Sequence, residues 1–312
     1  MKVAVIGYGN VGMAVFSALM NMPEITELVL CGRNIQRIRG EVLDCKDIQA
    51  LNSANKTKLS GGGYEACKGA DIIIYTVGAP VREKAGDRND LAEDNVAVVK
   101  TVAEELNKYN KDAIIIAISN PVDVLVSALM KYTDRPRGKV IGTGTLLDTA
   151  RLRRYIAEIF DVRPQNVMTY VLGEHGDSSC IMWSWTSILG MDIQEFLNAE
   201  LDEELSIKRD MLLNATRRMG GNIHQLKGST AYGVAAAAAQ LVSAIVHDTH
   251  EIMPVSIRLN GEYGIQDVAM SVPCYVSAHG AEPIKASNMT DEERDALNKS
   301  ADGIRELTNR FV

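Results

Sequence analysis

No basic cluster stands out in this chain of 312 residues, and its formal charge is −7. That balance argues against a nucleic-acid partner, because nothing is placed to neutralise a row of phosphates. Small anions stay open as ligands, since a few local arginines can outweigh the overall sign. No apolar run reaches the roughly 18 residues that a membrane helix needs, so no membrane partner is expected. Cysteine is scarce: Cys31, Cys45, Cys67, Cys180 and Cys274, an odd number without any C-x-x-C spacing. Buried thiols in a reducing compartment fit that pattern better than a disulfide framework or a zinc site. No metal is expected. There is no secretory leader pattern ahead of the strand-like run Met1–Gly7, and a cytoplasmic location is the expectation. Internal repeats, low-complexity tracts and Pro/Ser-rich linkers are missing as well. At roughly 150 residues per domain, the length suits about two domains.

What the first half does contain is an alternation. Short apolar runs, rich in Val and Ile, lie at Lys2–Gly7, Glu27–Cys31, Asp71–Gly78, Ala113–Ser119 and Lys139–Gly142. Their near-continuous hydrophobicity is that of strands buried on both faces of a parallel sheet. Helical patterns such as Val11–Met22 and Asp94–Lys108 separate them. The fold class is therefore α/β, a doubly wound parallel sheet. The second half reads as α+β. It has helices over Leu146–Phe160, Asp202–His224 and Thr230–Asp248, a strand over Val167–Leu172, and apolar stretches near Val255–Leu259, Gln266–Met270 and Cys274–Val276. A last helix spans Thr290–Arg310, where Thr290 and Glu293 have the capping-box spacing. The expected division is 1–144 and 145–312, closely packed because no flexible linker separates the halves.

Gly7-Tyr8-Gly9-Asn10-Val11-Gly12 follows the first strand and opens the first helix. That context turns G-x-G-x-x-G from a weak motif into a Rossmann dinucleotide site. Gly7 permits the tight turn, Gly9 lets the backbone approach a pyrophosphate, and Gly12 allows close helix packing. The helix N-terminus offers N–H groups and partial positive charge to the phosphates. One expected part is missing. An acidic residue about 20 positions on should hold the adenosine ribose, and Gly32 stands there, followed by Arg33. A guanidinium can pair with a 2′-phosphate, so NADP is a candidate beside NAD. Equally open is that Arg33 is a solvated surface charge.

Four further segments carry the chemistry: Gly86-Asp87-Arg88, Ser119-Asn120-Pro121-Val122-Asp123, Leu147-Asp148-Thr149-Ala150-Arg151 and Gly173-Glu174-His175-Gly176-Asp177-Ser178. In this order after the glycine motif, they resemble the L-lactate/malate dehydrogenase family. Lys139–Arg151 looks most like its L-2-hydroxyisocaproate branch. The resemblance runs from residue 1 to about 307. It implies hydride transfer between a nicotinamide cofactor and a small L-2-hydroxy acid.

The residue types suit that reaction in their own right. His175 can exchange a proton near neutral pH. Asp148 would orient it and stabilise its charged form, and also suits the first turn of a helix. Arg151, three residues on, shares a helix face with Asp148, and its planar fork suits a bidentate grip on the substrate carboxylate. Neighbouring Arg153 and Arg154 read as surface ion pairs. By resemblance, Pro80–Asp90 is a lid whose Arg88 polarises the substrate carbonyl. Asn120, before a bond that is cis in the family, would contact substrate or nicotinamide. Thr230 would line the side-chain pocket, or else Ser229 or Thr230 caps a helix. Asn10, Val11 and Gly78 complete the cofactor contacts implied by the resemblance.

Which acid is bound stays open in the sequence. Counting back six residues from Arg88 gives Arg82, which would pair with a second carboxylate and predict malate. Counting forward from Gly78-Ala79-Pro80 gives Val81, which predicts an apolar side chain. Thr230 and the Gly-Asp-Arg ending of the lid favour lactate or a longer aliphatic 2-hydroxy acid. By resemblance alone, the chain is expected as a homodimer or homotetramer.

Overall fold

The computed structural model describes residues 1–51, 56–79, 88–193, 195, 202–285 and 288–312, with backbone alone at 88–90 and 202–208. Its centre is a sheet of nine strands. The first six are β1 (Lys2–Ile6), β2 (Glu27–Cys31), β3 (Lys58–Gly62), β4 (Ile72–Tyr75), β5 (Ile114–Ala117) and β6 (Val140–Gly142). They run parallel in the order β3-β2-β1-β4-β5-β6, the doubly wound arrangement. The sequence Ile72-Ile73-Ile74-Tyr75 is wholly buried, as is Ile114-Ile115-Ile116-Ala117. Alternate residues serve opposite faces. Val3, Val5, Ile72 and Ile74 join one core; Ala4, Ile6, Ile73 and Tyr75 join the other.

Helices cover both faces. The Tyr75 face packs against α3 (Arg88–Tyr109) and α4 (Val122–Thr133). The other face packs against α1 (Asn10–Leu19), and α2 (Ile35–Leu51) follows β2. In the second half, α5 (Leu146–Phe160) leads into short strands β7 (Val167–Met168), β8 (Val171–Leu172), β9 (Cys180–Ile181), β10 (Ser187–Ile188) and β11 (Met191–Asp192). Then come α6 (Asp202–Lys227) and α7 (Tyr232–His247). A long hairpin, β12 (Glu251–Asn260) and β13 (Gln266–Ser277), is followed by β14 (Gly280–Pro283) and α8 (Asp291–Phe311). β12 pairs antiparallel with β6 at Ser256 and Gly142, so strands of the second half extend the sheet of the first. Val255, Ile257 and Leu259 of β12 share a core with β1, α1 and α7.

Several expected boundaries move. Val167–Leu172 is not one strand: it breaks into β7 and β8, which pair with different partners, β10 and β9. Of the segment 80–90 expected as a lid, 80–87 lie outside the described residues, and 88–90 form the first turn of α3 (Arg88–Tyr109). α2 and β3 were not read from the sequence. α2 has only Ile38, Val42 and Cys45 buried, and Lys58-Leu59-Ser60-Gly61-Gly62 has no apolar run. The capping box is present: Thr290 Oγ1 accepts from Glu293 N at 3.2 Å, and Thr290 N donates to Glu293 Oε2 at 3.1 Å. All five cysteines are buried free thiols.

Leu241 of α7 is fully buried in the core that also holds Val15, Phe16 and Leu19 of α1. Leu241→Ala should cost about 2–5 kcal/mol of unfolding free energy, read by denaturant titration. A loss well under about 1 kcal/mol would mean that α1 and α7 are not held by this contact.

Candidate active site

A cleft of about 450 Å³ opens at the C-terminal ends of the parallel strands, where doubly wound sheets bind ligands. Among its walls are Val11 of α1, Thr76 after β4, Asn120 after β5, Asp148 and Arg151 of α5, His175 and Thr230. The nucleotide end is shaped by glycine. Gly7 has φ +112°, and a Cβ on Gly12 would overlap the carbonyl of Gly7. The open side of the turn is bare backbone, because a Cβ on Gly9 would have nothing within 4 Å. No side chain caps the N-terminus of α1. A glycine-tight turn, an open approach and an uncapped helix end fit the pyrophosphate of a dinucleotide. Asn10 Nδ2 donates to Ser229 Oγ at 3.2 Å, tying the turn to the α6–α7 connection.

At the far end of this turn, Gly32 lies beneath the Tyr8 ring; a Cβ there would stand 2.7 Å from Tyr8 Cε1. Arg33 is exposed beside it. Arg37, which the sequence reading passed over, places its guanidinium 5.4 Å from the Tyr8 ring centre.

The reacting end is built around Asp148. Its Oδ2 is 2.6 Å from His175 Nδ1, and its Oδ1 accepts from Arg151 Nη1 at 3.1 Å. A carboxylate only accepts, so His175 Nδ1 carries the proton and Nε2 is left to titrate. Burial alone favours a neutral imidazole. The charge of Asp148 and its hydrogen bond outweigh burial, Asp123 adds to them, and the His175 pKa stands above its ordinary value. Burial alone likewise opposes the Asp148 carboxylate. The charges and hydrogen bonds of His175 and Arg151 overcome this and hold its pKa below the usual range.

Other elements fix the His175 loop. The backbone N–H of His175 donates to Asp123 Oδ2 at 2.9 Å, and Asp123 Oδ1 accepts from Ser256 Oγ at 2.6 Å. Ser300 Oγ of α8 accepts from Glu174 N at 2.8 Å. Gly173 pairs with Ser271 of β13. Arg217 of α6 donates to the Ser179 carbonyl. The wall of the cleft beyond β4 and β5 is braced by buried Asn95, whose Oδ1 accepts from Ala79 N at 2.6 Å and whose Nδ2 donates to the Asn120 carbonyl at 2.6 Å. Gly78 lies against the same Asn95 side chain. The Asn120–Pro121 bond is cis.

The structure thus brings His175, Asp148, Arg151, Asn120, Thr230 and Val11 to one cleft. Thr230 is not a helix cap, nor is Ser229: α7 starts at Tyr232 with Ala231 at its cap and no side-chain bond. Arg154 does pair at the surface with Glu158, at 2.7 Å. Arg153 shows no such pair among the described residues; it is half-buried, and its Nε lacks a hydrogen-bond partner among them. Val81 and Arg82 lie outside the described residues, as does the side chain of Arg88. Sequence reasoning gave no role to Asp123, Asn95 or Ser300. Asp123 stands in the quoted Asn-Pro-Val-Asp motif and was the legible one.

Residues 1–142 match the NAD binding domain of lactate/malate dehydrogenase, and residues 145–311 match the alpha/beta C-terminal domain of the same family. The chain belongs to the lactate/malate dehydrogenase family. It is 38% identical to L-lactate dehydrogenase 2 of Clostridium acetobutylicum, over 98% of this chain and 96% of that protein. It is 37% identical to an L-lactate dehydrogenase of Acetivibrio thermocellus, with the same coverage. A minor L-lactate dehydrogenase of Enterococcus mundtii superposes with TM-score 0.92 at 31% identity, over 100% of this chain and 98% of that one.

Gly12→Ala should force α1 away from the Gly7 turn and weaken NADH binding at least about tenfold, ~1.4 kcal/mol. Fluorescence titration of bound NADH reads this. An unchanged affinity would show that the turn does not hold the cofactor.

Proposed function

We propose that this chain interconverts a small L-2-hydroxy acid and its 2-oxo acid, with NAD as cofactor and His175 as the group that moves the proton. The observation that carries this reading is Asp148 bonded at once to His175 and Arg151. One carboxylate thereby positions both a proton donor and a carboxylate clamp. Bound, the nicotinamide supplies or accepts the hydride at the substrate 2-carbon. In reduction, the imidazolium of His175 gives its Nε2 proton to the developing alkoxide. Arg151 holds the C1 carboxylate by its planar fork. Arg88 adds positive charge over the carbonyl oxygen, and Asn120 and Thr230 complete the substrate contacts. Residues 1–144 hold the nucleotide, through Gly7, Gly9, Asn10, Val11, Gly12, Gly78 and the Gly32–Arg33 corner. Residues 145–312 supply most of the substrate side.

The preferred acid in this reading is L-lactate or a longer aliphatic 2-hydroxy acid, in keeping with the names of the relatives. NADP is accepted beside NAD, on two grounds. No carboxylate occupies position 32 or 33, and both Arg33 and Arg37 border the Tyr8–Gly32 corner. The working protein is a homodimer or homotetramer in the cytoplasm. Leu43, Ile48 and Leu51 of α2 are 62%, 47% and 91% exposed, apolar area that a second copy would cover. No helix among the described residues is long and apolar enough to cross a membrane.

Initial rates with pyruvate, 2-oxoisocaproate and oxaloacetate, each with NADH and with NADPH, test the proposal. The monocarboxylates should lead in kcat/KM, and NADPH should support turnover. A tenfold lead for oxaloacetate, about 1.4 kcal/mol of transition-state preference, would instead make Arg82 a second carboxylate clamp and the substrate malate. NADPH efficiency far below that of NADH would return Arg33 to a plain surface charge.

A further inference from the structure

Outside the cleft, two thiols that the proton and hydride chemistry does not use lie against each other. Cys67 Sγ donates to Cys31 Sγ at 3.4 Å, across 36 positions of chain. Neither side chain touches water. Cys180 and Cys274 differ, because their thiols donate to backbone carbonyls. Cys31 is the last residue of β2, and its carbonyl accepts from Gly7 N at 2.9 Å. The next residue, Gly32, lies beneath the Tyr8 ring and donates its N–H to the Gly62 carbonyl at 3.2 Å. The backbone of Cys31 thus joins the glycine turn to the Gly32–Arg33 corner. Cys67 ends a short 3-10 turn, Tyr64–Cys67, which follows β3, the edge strand of the nine-stranded sheet. The margin of a sheet opens locally at lower cost than its centre.

We propose that Cys31 and Cys67 form an oxidative modification site, in which a small peroxide joins the two thiols as a disulfide and so weakens the hold on NAD. In a reducing compartment a disulfide is transient and redox-sensing rather than structural. The two sulfurs need to approach only from 3.4 Å to about 2.05 Å. The hydrogen bond with Cys67, together with burial, pushes the Cys31 thiol up, so Cys31 stays protonated and inert in the closed structure. Cys67, at the sheet margin, is the thiol that local opening exposes. Its sulfur attacks the peroxide, the O–O bond breaks, water leaves, and Cys67 becomes a sulfenic acid. On closure Cys31 Sγ attacks the Cys67 sulfur, the S–O bond breaks, and the hydroxyl leaves as a second water with the Cys31 proton. The two thiols lose two electrons, and the peroxide takes them. The new bond draws Cys31 toward Cys67, and the Gly7 contact and Gly32 move with it. The disulfide itself is independent of the nucleotide reading, whereas its effect on NAD rests on that reading.

The test treats the folded wild-type protein with graded hydrogen peroxide, blocks the remaining thiols, and maps the peptides by mass spectrometry. NADH affinity is titrated by fluorescence on the same samples, before and after dithiothreitol. The Cys31 and Cys67 peptides should be recovered joined, lighter by two hydrogens, while Cys45, Cys180 and Cys274 are still blocked as thiols. NADH should then bind at least about fivefold more weakly, and dithiothreitol should restore it. Cys67→Ala and Cys31→Ala should each keep their NADH affinity through the same treatment. If neither variant folds, the wild-type map and its reversal by dithiothreitol decide alone. Joined peptides with unchanged NADH affinity would overturn the link to the cofactor. Sulfinic acid at Cys67, or oxidation of the other three cysteines first, would overturn the site itself. Untreated protein that binds no NADH would bring down the nucleotide reading and the link with it, and the peptide map would still judge the disulfide.

Discussion

Asp148 is a carboxylate with almost no contact with water, and the site is arranged around keeping it charged. Burying an ion is costly unless geometry and hydrogen bonds compensate. Here both oxygens are used, one by His175 and one by Arg151. Each partner gains as well. The arginine keeps its fork in the cleft, and the imidazole keeps its proton to a higher pH than it would in water. The α5 register makes the Arg151 contact almost automatic, since three residues along a helix return to the same face. The His175 contact needs more. Its loop is held from β12 through Asp123 and Ser256, from β13 through Ser271, and from α8 through Ser300. The antiparallel extension of the sheet therefore helps to build the cleft: Ser256 of β12 and Ser271 of β13 both help to hold the His175 loop.

The nucleotide end follows from a different constraint, the absence of side chains. Gly7 and Gly12 let α1 start in contact with the preceding turn, and Gly9 leaves that turn open to a ligand. Asn95 then joins the connections after β4 and β5, which holds Asn120 at the wall of the cleft. The two ends of the cleft are thus fixed by the same sheet. A hydride donor and a proton donor held on one rigid frame need little reorganisation during the reaction.

Most of the fold and the residues that meet in the cleft, His175, Asp148 and Arg151 among them, were legible in the sequence, because their signals are local. The Ile-rich strands, the glycine motif before a helix, the Asp148–Arg151 spacing and the Gly-flanked His175 are each written within a short stretch of chain. What escaped was long-range or weakly patterned. Asp123 meets His175 across 52 positions, and Ser300 meets Glu174 across 126; no periodicity announces either contact. α2 buries only Ile38, Val42 and Cys45, with its other apolar residues scattered among charged ones, and β3 has too few apolar residues to read as a strand. The joining of β12 to β6 depends on which sheet edge is free, which a strand pattern does not encode.

The central claim is that Asp148 sets the protonation of His175. Its most direct measurement is the pH dependence of kcat/KM for 2-oxo acid reduction in the wild type and in Asp148→Asn. Reduction needs the imidazolium, so the profile should be level at low pH and fall as pH rises through the raised His175 pKa. Removing the carboxylate removes the cause of the rise, and the falling limb should move to lower pH, with reduced activity throughout. A limb that stays in place, or moves to higher pH, would contradict the account.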